Sequence, residues 1–165
     1  MSDWLPYVIG YAFATVAAHF PIAWLVDRLW NSIGGQAKHW ERRSGWWLPG
    51  IVGLVERALY VGSINLGAHE FVGVWLALKV ATHWGAWKEG IKEGNRVLSG
   101  HSIASIFLIG NGVSIGYAIV GYFLISEVRR SVAASIAVVL VILGATVCLG
   151  LIAKGYGEKV KKDAA

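Results

Sequence analysis

Five apolar runs, each near the length of a bilayer crossing and each bounded by charged or aromatic residues, constrain this chain more than any other feature. They cover Leu5–Val26, Trp47–Leu66, Phe71–Trp87, Ile103–Ile125 and Val132–Ala153. A helix needs about 20 predominantly apolar residues to cross the hydrocarbon core, within a range of about 17–25, and the third run sits at the short end. The expected fold is all-α: a polytopic transmembrane helical bundle of about five spans, forming one integral membrane domain over residues 1–165. Four spans with the third run re-entrant is the alternative. Pro21 is expected to kink the inner end of the first run.

Composition supports a membrane solvent. The chain is 56% hydrophobic and 15% charged, against about a quarter charged in a soluble domain, and its mean hydropathy is +0.55. The net charge of +5 does not imply nucleic acid, because the basic residues lie between apolar runs rather than on one amphipathic face. A membrane surface accounts for them. Cys148, the single cysteine, lies inside the last run, which excludes an internal disulfide and leaves no thiolate cluster for a metal. The N-terminus lacks the basic residues of a cleavable signal peptide, so the first run reads as a retained helix.

Lys and Arg placement sets the expected orientation. Arg28, Lys38, Arg42 and Arg43 follow the first run, Lys88, Lys92 and Arg96 follow the third, and Lys154, Lys159, Lys161 and Lys162 follow the fifth. With five spans all of these fall on one side. That side is expected to be the cytoplasm, with the N-terminus outside. Arg129 and Arg130 lie opposite and break the pattern, partly offset by Glu127. The strings Glu56–Tyr60, Trp75–Lys79 and Phe107–Asn111 look like those of small prokaryotic membrane proteins, and that resemblance implies an inner-membrane location without implying a function.

Trp4, Trp24, Trp30, Trp46, Trp47, Trp84 and Trp87 fall near the ends of runs, where an amphipathic ring favours the headgroup region. The segment holding Lys38, Trp40, Arg42, Arg43, Trp46 and Trp47 mixes basic and aromatic residues and reads as contact with anionic headgroups on the cytoplasmic side. Gly112 and Gly116, followed by Gly121, form small-residue spacing that lets helix backbones approach, within one chain or between copies. Gly90–Asn95 lacks P-loop spacing and reads as a flexible cytoplasmic turn.

The polar residues inside the runs are the most informative. Glu56 and Arg57 lie mid-way along the second run and Lys79 lies in the third. Charges at such depth face protein or water and find a partner. If the two runs turn at Gly67–Ala68, Glu56 and Lys79 are equally far from the turn and form an ion pair, while Arg57 points about 100° away around its helix. Tyr60 shares the face of Glu56, and His83 that of Lys79. Asn111, His19 and Thr146 fall at comparable depth, so each run offers a polar group to the cytoplasmic half of the membrane. Facing histidines could ligate a haem, but a lone helical histidine is ordinarily hydrogen-bonded in a core or interface. No cofactor and no metal are expected.

Glu56, Arg57, Lys79, Asn111, Tyr60, His83 and His19 are therefore the candidate ligand or ion-pathway residues. A net cationic layer favours an ion or small-anion transport or channel-like protein. An accessory or assembly subunit of a membrane complex, with a structural ion pair, is one alternative. A membrane-embedded lipid-modifying enzyme is the other, with Glu56 or His83 as acid or base, although no nucleophile or metal-binding carboxylate cluster stands out. The expected partners are the lipid bilayer and either further copies of the chain or other membrane subunits.

Overall fold

A computed structural model describes residues 4–33, 48–93, 96–128 and 130–163. Their structure is helical apart from one small ribbon. The first segment comprises α1 (Leu5–Ala12), a π-helical turn (Phe13–Ala17) and α2 (His19–Ser32). Then follow α3 (Leu48–Asn65) and α4 (Glu70–Glu89), strands β1 (Ile91–Glu93) and β2 (Arg96–Leu98), α5 (Gly100–Glu127) and α6 (Val132–Asp163).

Local chemistry explains most of the boundaries. Pro6 occupies the first turn of α1, where a missing N–H costs nothing. At the π turn the Ala18 N–H donates to the carbonyl of Phe13, five residues back, at 3.0 Å. Pro21 follows directly and deprives the Ala17 carbonyl of its usual donor, so the irregularity extends from Phe13 to the start of α2. α3 ends in a Schellman motif: Ala68 N–H donates to Ser63 O at 2.8 Å and Gly67 N–H to Ile64 O at 3.1 Å. Gly67 has φ +75°, a conformation that favours glycine. Glu70 in the first turn of α4 and Lys88 in its last turn complement the helix dipole. α6 starts from Ser131, whose hydroxyl accepts from Ala134 N–H at 3.2 Å as an N-cap. In that same linker Arg130 pairs with Glu127 at 3.2 Å, while Arg129 is outside the described residues.

α5 is the centre of the bundle and touches α1, the π turn, α2, α3, α4 and α6. α3 and α4 each touch α5 more than they touch one another, and α6 packs chiefly along α2. Pairings down the molecule show the first segment running antiparallel to both α5 and α3, while α5 packs on α6 as well. Gly10 meets Gly121 and Gly110 meets Val26, Tyr11 meets Gly62 and His19 meets Gly50, and Gly116 meets Ile142. α2 and α6 run parallel, with Trp24 against Gly150 and Ser32 against Gly157.

Three helical segments are long and apolar enough to cross a membrane: Leu5–Ser32, Gly100–Glu127 and Val132–Lys159. α3 and α4, with 18 and 20 residues, have the length. Their charged residues, Glu56, Arg57 and Lys79, dilute the apolar character. α4 is one uninterrupted helix of 20 residues. The outer surface is that of a membrane protein. Val132, Ile136, Leu140, Val141, Leu151 and Ile152 of α6 are all exposed, as are Ile51, Val55 and Leu59 of α3. Water would not tolerate so continuous an apolar surface, and lipid does.

α6 continues past the apolar run to Asp163. Two expectations are corrected. Gly90–Asn95 is no simple turn. It flanks and enters a ribbon in which Ile91 pairs with Leu98 and Lys92 with Val97, and Gly90 supplies a φ of +69°. The close approach of helices is also not at Gly112, whose Cβ position faces open space. It lies at Gly10 and Gly121. A Cβ on Gly121 would come within 2.8 Å of both Ala14 Cβ and the Gly10 carbonyl oxygen.

This packing gives an expected outcome. Gly121→Leu should lower the thermal midpoint in detergent sharply, corresponding to at least about 1–3 kcal/mol of overpacking. Gly112→Leu should leave the midpoint close to that of the wild type.

Candidate functional site

Three helices bring the polar layer together. Glu56 is on the inner face of α3, Lys79 is on the face of α4 turned towards α3 and α5, and Asn111 is two to three turns into α5. Lys79 Nζ donates to Glu56 Oε2 at 2.8 Å and to Asn111 Oδ1 at 2.7 Å. Trp75, one turn before Lys79, donates its indole N–H to Glu56 Oε1 at 3.1 Å. Both carboxylate oxygens are thereby engaged. The Asn111 amide must turn its oxygen towards the ammonium, and its NH₂ donates to the Phe107 carbonyl at 2.8 Å. Phe107 also lies under the ammonium, with its ring centroid 5.3 Å from Nζ.

Burial makes these contacts consequential. The Glu56 side chain is 6% exposed and that of Lys79 is 19% exposed. A hydrogen bond between helices in a membrane averages about 0.6 kcal/mol. Removing one partner of a buried ion pair costs about 3–5 kcal/mol, because the other charge is left uncompensated. The pair expected from equal distance to the Gly67–Ala68 turn is thus present, and its surroundings satisfy it on every side.

Arg57 has a different environment. It is 3% exposed, and its Nη2 donates to the main-chain oxygen of Thr15 in the π turn at 3.1 Å. Gly53, one turn earlier, leaves room for the guanidinium, since a Cβ there would be 3.2 Å from Nη1. Among the described residues the Nε–H of Arg57 has no hydrogen-bond partner, nor has the hydroxyl of Tyr60 one turn further along the same face. Tyr60 is fully buried among Ala14, Val61, Ala118 and Ile125. Two buried donors on one face of α3 therefore lack an acceptor. Glu56, Lys79 and Arg57 together carry one net positive charge.

The remaining candidates do not join this site. His83 is exposed; its Nδ1 lies 2.8 Å from the Lys79 carbonyl, and its ring stacks at 4.8 Å on Phe107. His19 faces Gly50 and the edge of Phe20. Thr146 forms a separate buried contact, 3.2 Å from the Tyr117 hydroxyl, on another side of α5. The first segment thus contributes the Thr15 carbonyl, not His19, to the layer. Lys38, Trp40, Arg42, Arg43, Trp46 and Trp47 lie outside the described residues. Sequence reasoning missed Thr15 and Trp75 as participants. Trp75 was legible as a residue on the Lys79 face. Thr15 was not, because its contribution is a main-chain oxygen. Comparison with known protein families, curated proteins and solved structures finds no match for this chain.

A double-mutant cycle tests the ion pair. Glu56→Gln and Lys79→Met should each destabilise the purified protein by about 3–5 kcal/mol, and the double variant should recover most of that loss. Thermal unfolding in detergent, followed by circular dichroism, measures all three.

Proposed function

We propose that this is a small multi-pass membrane protein that binds and passes a small anion through the layer held by Arg57. In this reading all five helical segments cross the bilayer. The ends of α2, α4 and α6 that carry Arg28, Lys88 and Lys154 face the cytoplasm, and the N-terminus is outside. A prokaryotic inner membrane suits the positive-inside distribution.

The observation that carries the reading is Arg57 itself. Among the described residues its guanidinium has one hydrogen bond, to the Thr15 carbonyl, and the nearby Glu56 carboxylate is shared with Lys79 and Trp75, which take up both its oxygens. Holding such a cation inside a membrane bundle costs at least about 2.5–3.5 kcal/mol on insertion scales. The cost is rational if an anion supplies the missing acceptors. A carboxylate on a neighbouring subunit cannot easily do so, because Arg57 is enclosed by its own chain. The adjoining π turn offers a means of movement. An anion that takes over the guanidinium releases the Thr15 carbonyl, in a stretch of helix already loosened by its π geometry and by Pro21.

The test is anion flux into liposomes containing the protein, measured with chloride, nitrate and formate beside potassium. Wild-type protein should raise anion flux above empty liposomes and leave potassium flux unchanged. Arg57→Met should reduce anion flux by about tenfold or more, the loss of one charge-assisted hydrogen bond. Its thermal midpoint should hold or rise, since a buried charge has gone. Unchanged flux in Arg57→Met, or a wild type no different from empty liposomes, would overturn the reading.

A further inference from the structure

A second polar site lies far from Arg57, where the C-terminal end of α2 meets α6. A cavity of about 200 Å³ opens there. Its floor is made by small residues, Ser32 and Gly157 with Ala153 beside them. They are small of necessity: a Cβ on Gly157 would lie 2.9 Å from the Ser32 Cα. Arg28, Asn31, Lys154 and Glu158 form the rim.

The rim has donors on one side and an acceptor on the other. Arg28 stacks over the Trp24 ring at 5.5 Å, which fixes its guanidinium at the cavity edge. Lys154 and Glu158, one turn apart on α6, are held loosely at 3.8 Å and are both well exposed. Such a pair contributes little to stability and is free to exchange partners. The Ser32 hydroxyl is occupied by the Leu29 carbonyl at 2.7 Å, leaving Asn31 as the neutral donor.

Leu151, exposed on α6, lies on the side of that helix that carries Lys154 and Glu158. Trp24 packs flat against Gly150 just above. A ligand seated here therefore meets polar groups at the rim and the exposed apolar side chain of Leu151 beside them.

We propose that this cavity binds the headgroup of a phospholipid that carries a primary amine. The phosphate is held by Arg28, Lys154 and Asn31, and the ammonium by Glu158. An anionic headgroup without an amine matches only half of the rim. The volume, about six or seven times the ~30 Å³ that a water molecule occupies in the liquid, holds a phosphate with a short amino alcohol and not a whole lipid. The acyl chains would lie along Leu151.

Native mass spectrometry of delipidated protein tests this, with phosphatidylethanolamine, phosphatidylglycerol and soluble phosphoethanolamine as probes. Wild-type protein should retain phosphatidylethanolamine about tenfold better than phosphatidylglycerol. Glu158→Gln should abolish that preference yet keep phospholipid binding. Arg28→Gln should weaken retention of both lipids by about tenfold. All three proteins should share one thermal midpoint, since these residues lie at the surface. Equal retention of lipid by wild type and Arg28→Gln would overturn the proposal, as would a preference for phosphatidylglycerol. Binding of soluble phosphoethanolamine as strong as that of the lipid would also overturn it, by assigning the site to a free phosphate ester.

Discussion

A cation carried into a membrane-embedded helix bundle must be matched inside the bundle, and the position of Lys79 shows how strictly that organises this chain. Its ammonium lies between a carboxylate on α3 and an amide on α5, so one side chain ties three helices at one depth. α3 and α4 touch each other sparingly, and each leans on α5. Without the link through Lys79, little beyond the Gly67–Ala68 turn would fix the height of α4 against its neighbours. Apolar contact cannot supply that registry, because lipid tails are as apolar as leucine and a sliding helix exchanges one for the other at small cost. The charged pair turns a weakly directional interface into one with a single favoured register.

Small residues perform the complementary task on the other side of the molecule. Gly10 and Gly121 let the first segment and α5 cross with their backbones nearly touching, and Gly150 accepts the face of Trp24 from α2. Close approach maximises dispersion contacts, which are the main attraction available between helices in lipid. The bundle thus has two kinds of joint. Polar contacts set the height of α3 and α4, while shape sets the approach of α1, α2 and α6 to α5.

These two kinds of joint were unequally legible in the sequence. The Glu56–Lys79 contact could be placed by counting, since equal distances from a turn bring residues to equal depth on antiparallel helices. Asn111 followed from the same kind of counting. Gly121 was named with Gly112 and Gly116 from small-residue spacing, but its partner Gly10 was hidden, because it lies in a different run. His19 was misplaced for a similar reason. Depth is readable from chain position, but which way a side chain faces depends on helix phase, and the π turn at Phe13–Ala17 shifts that phase by the equivalent of an inserted residue. The helix ends at Asn65 and Glu127 were close to the expected boundaries, because turn chemistry at Gly67 and Ser131 is local.

Arg57 marks where the consistency of the design breaks down. Glu56, Lys79, Trp75 and Asn111 meet one another in hydrogen bonds, yet among the described residues the Arg57 guanidinium rests on one main-chain oxygen, with its Nε–H and the nearby Tyr60 hydroxyl left over. A sequence shaped for stability alone would replace Arg57 with an apolar residue of similar volume, and buried ionic groups exchanged in this way often yield a more stable protein. The strain also falls beside the most deformable stretch of the first segment, where the π turn and Pro21 already weaken the helical ladder. An unsatisfied donor and an irregular helix thus meet at a single hydrogen bond, from Arg57 Nη2 to the Thr15 carbonyl.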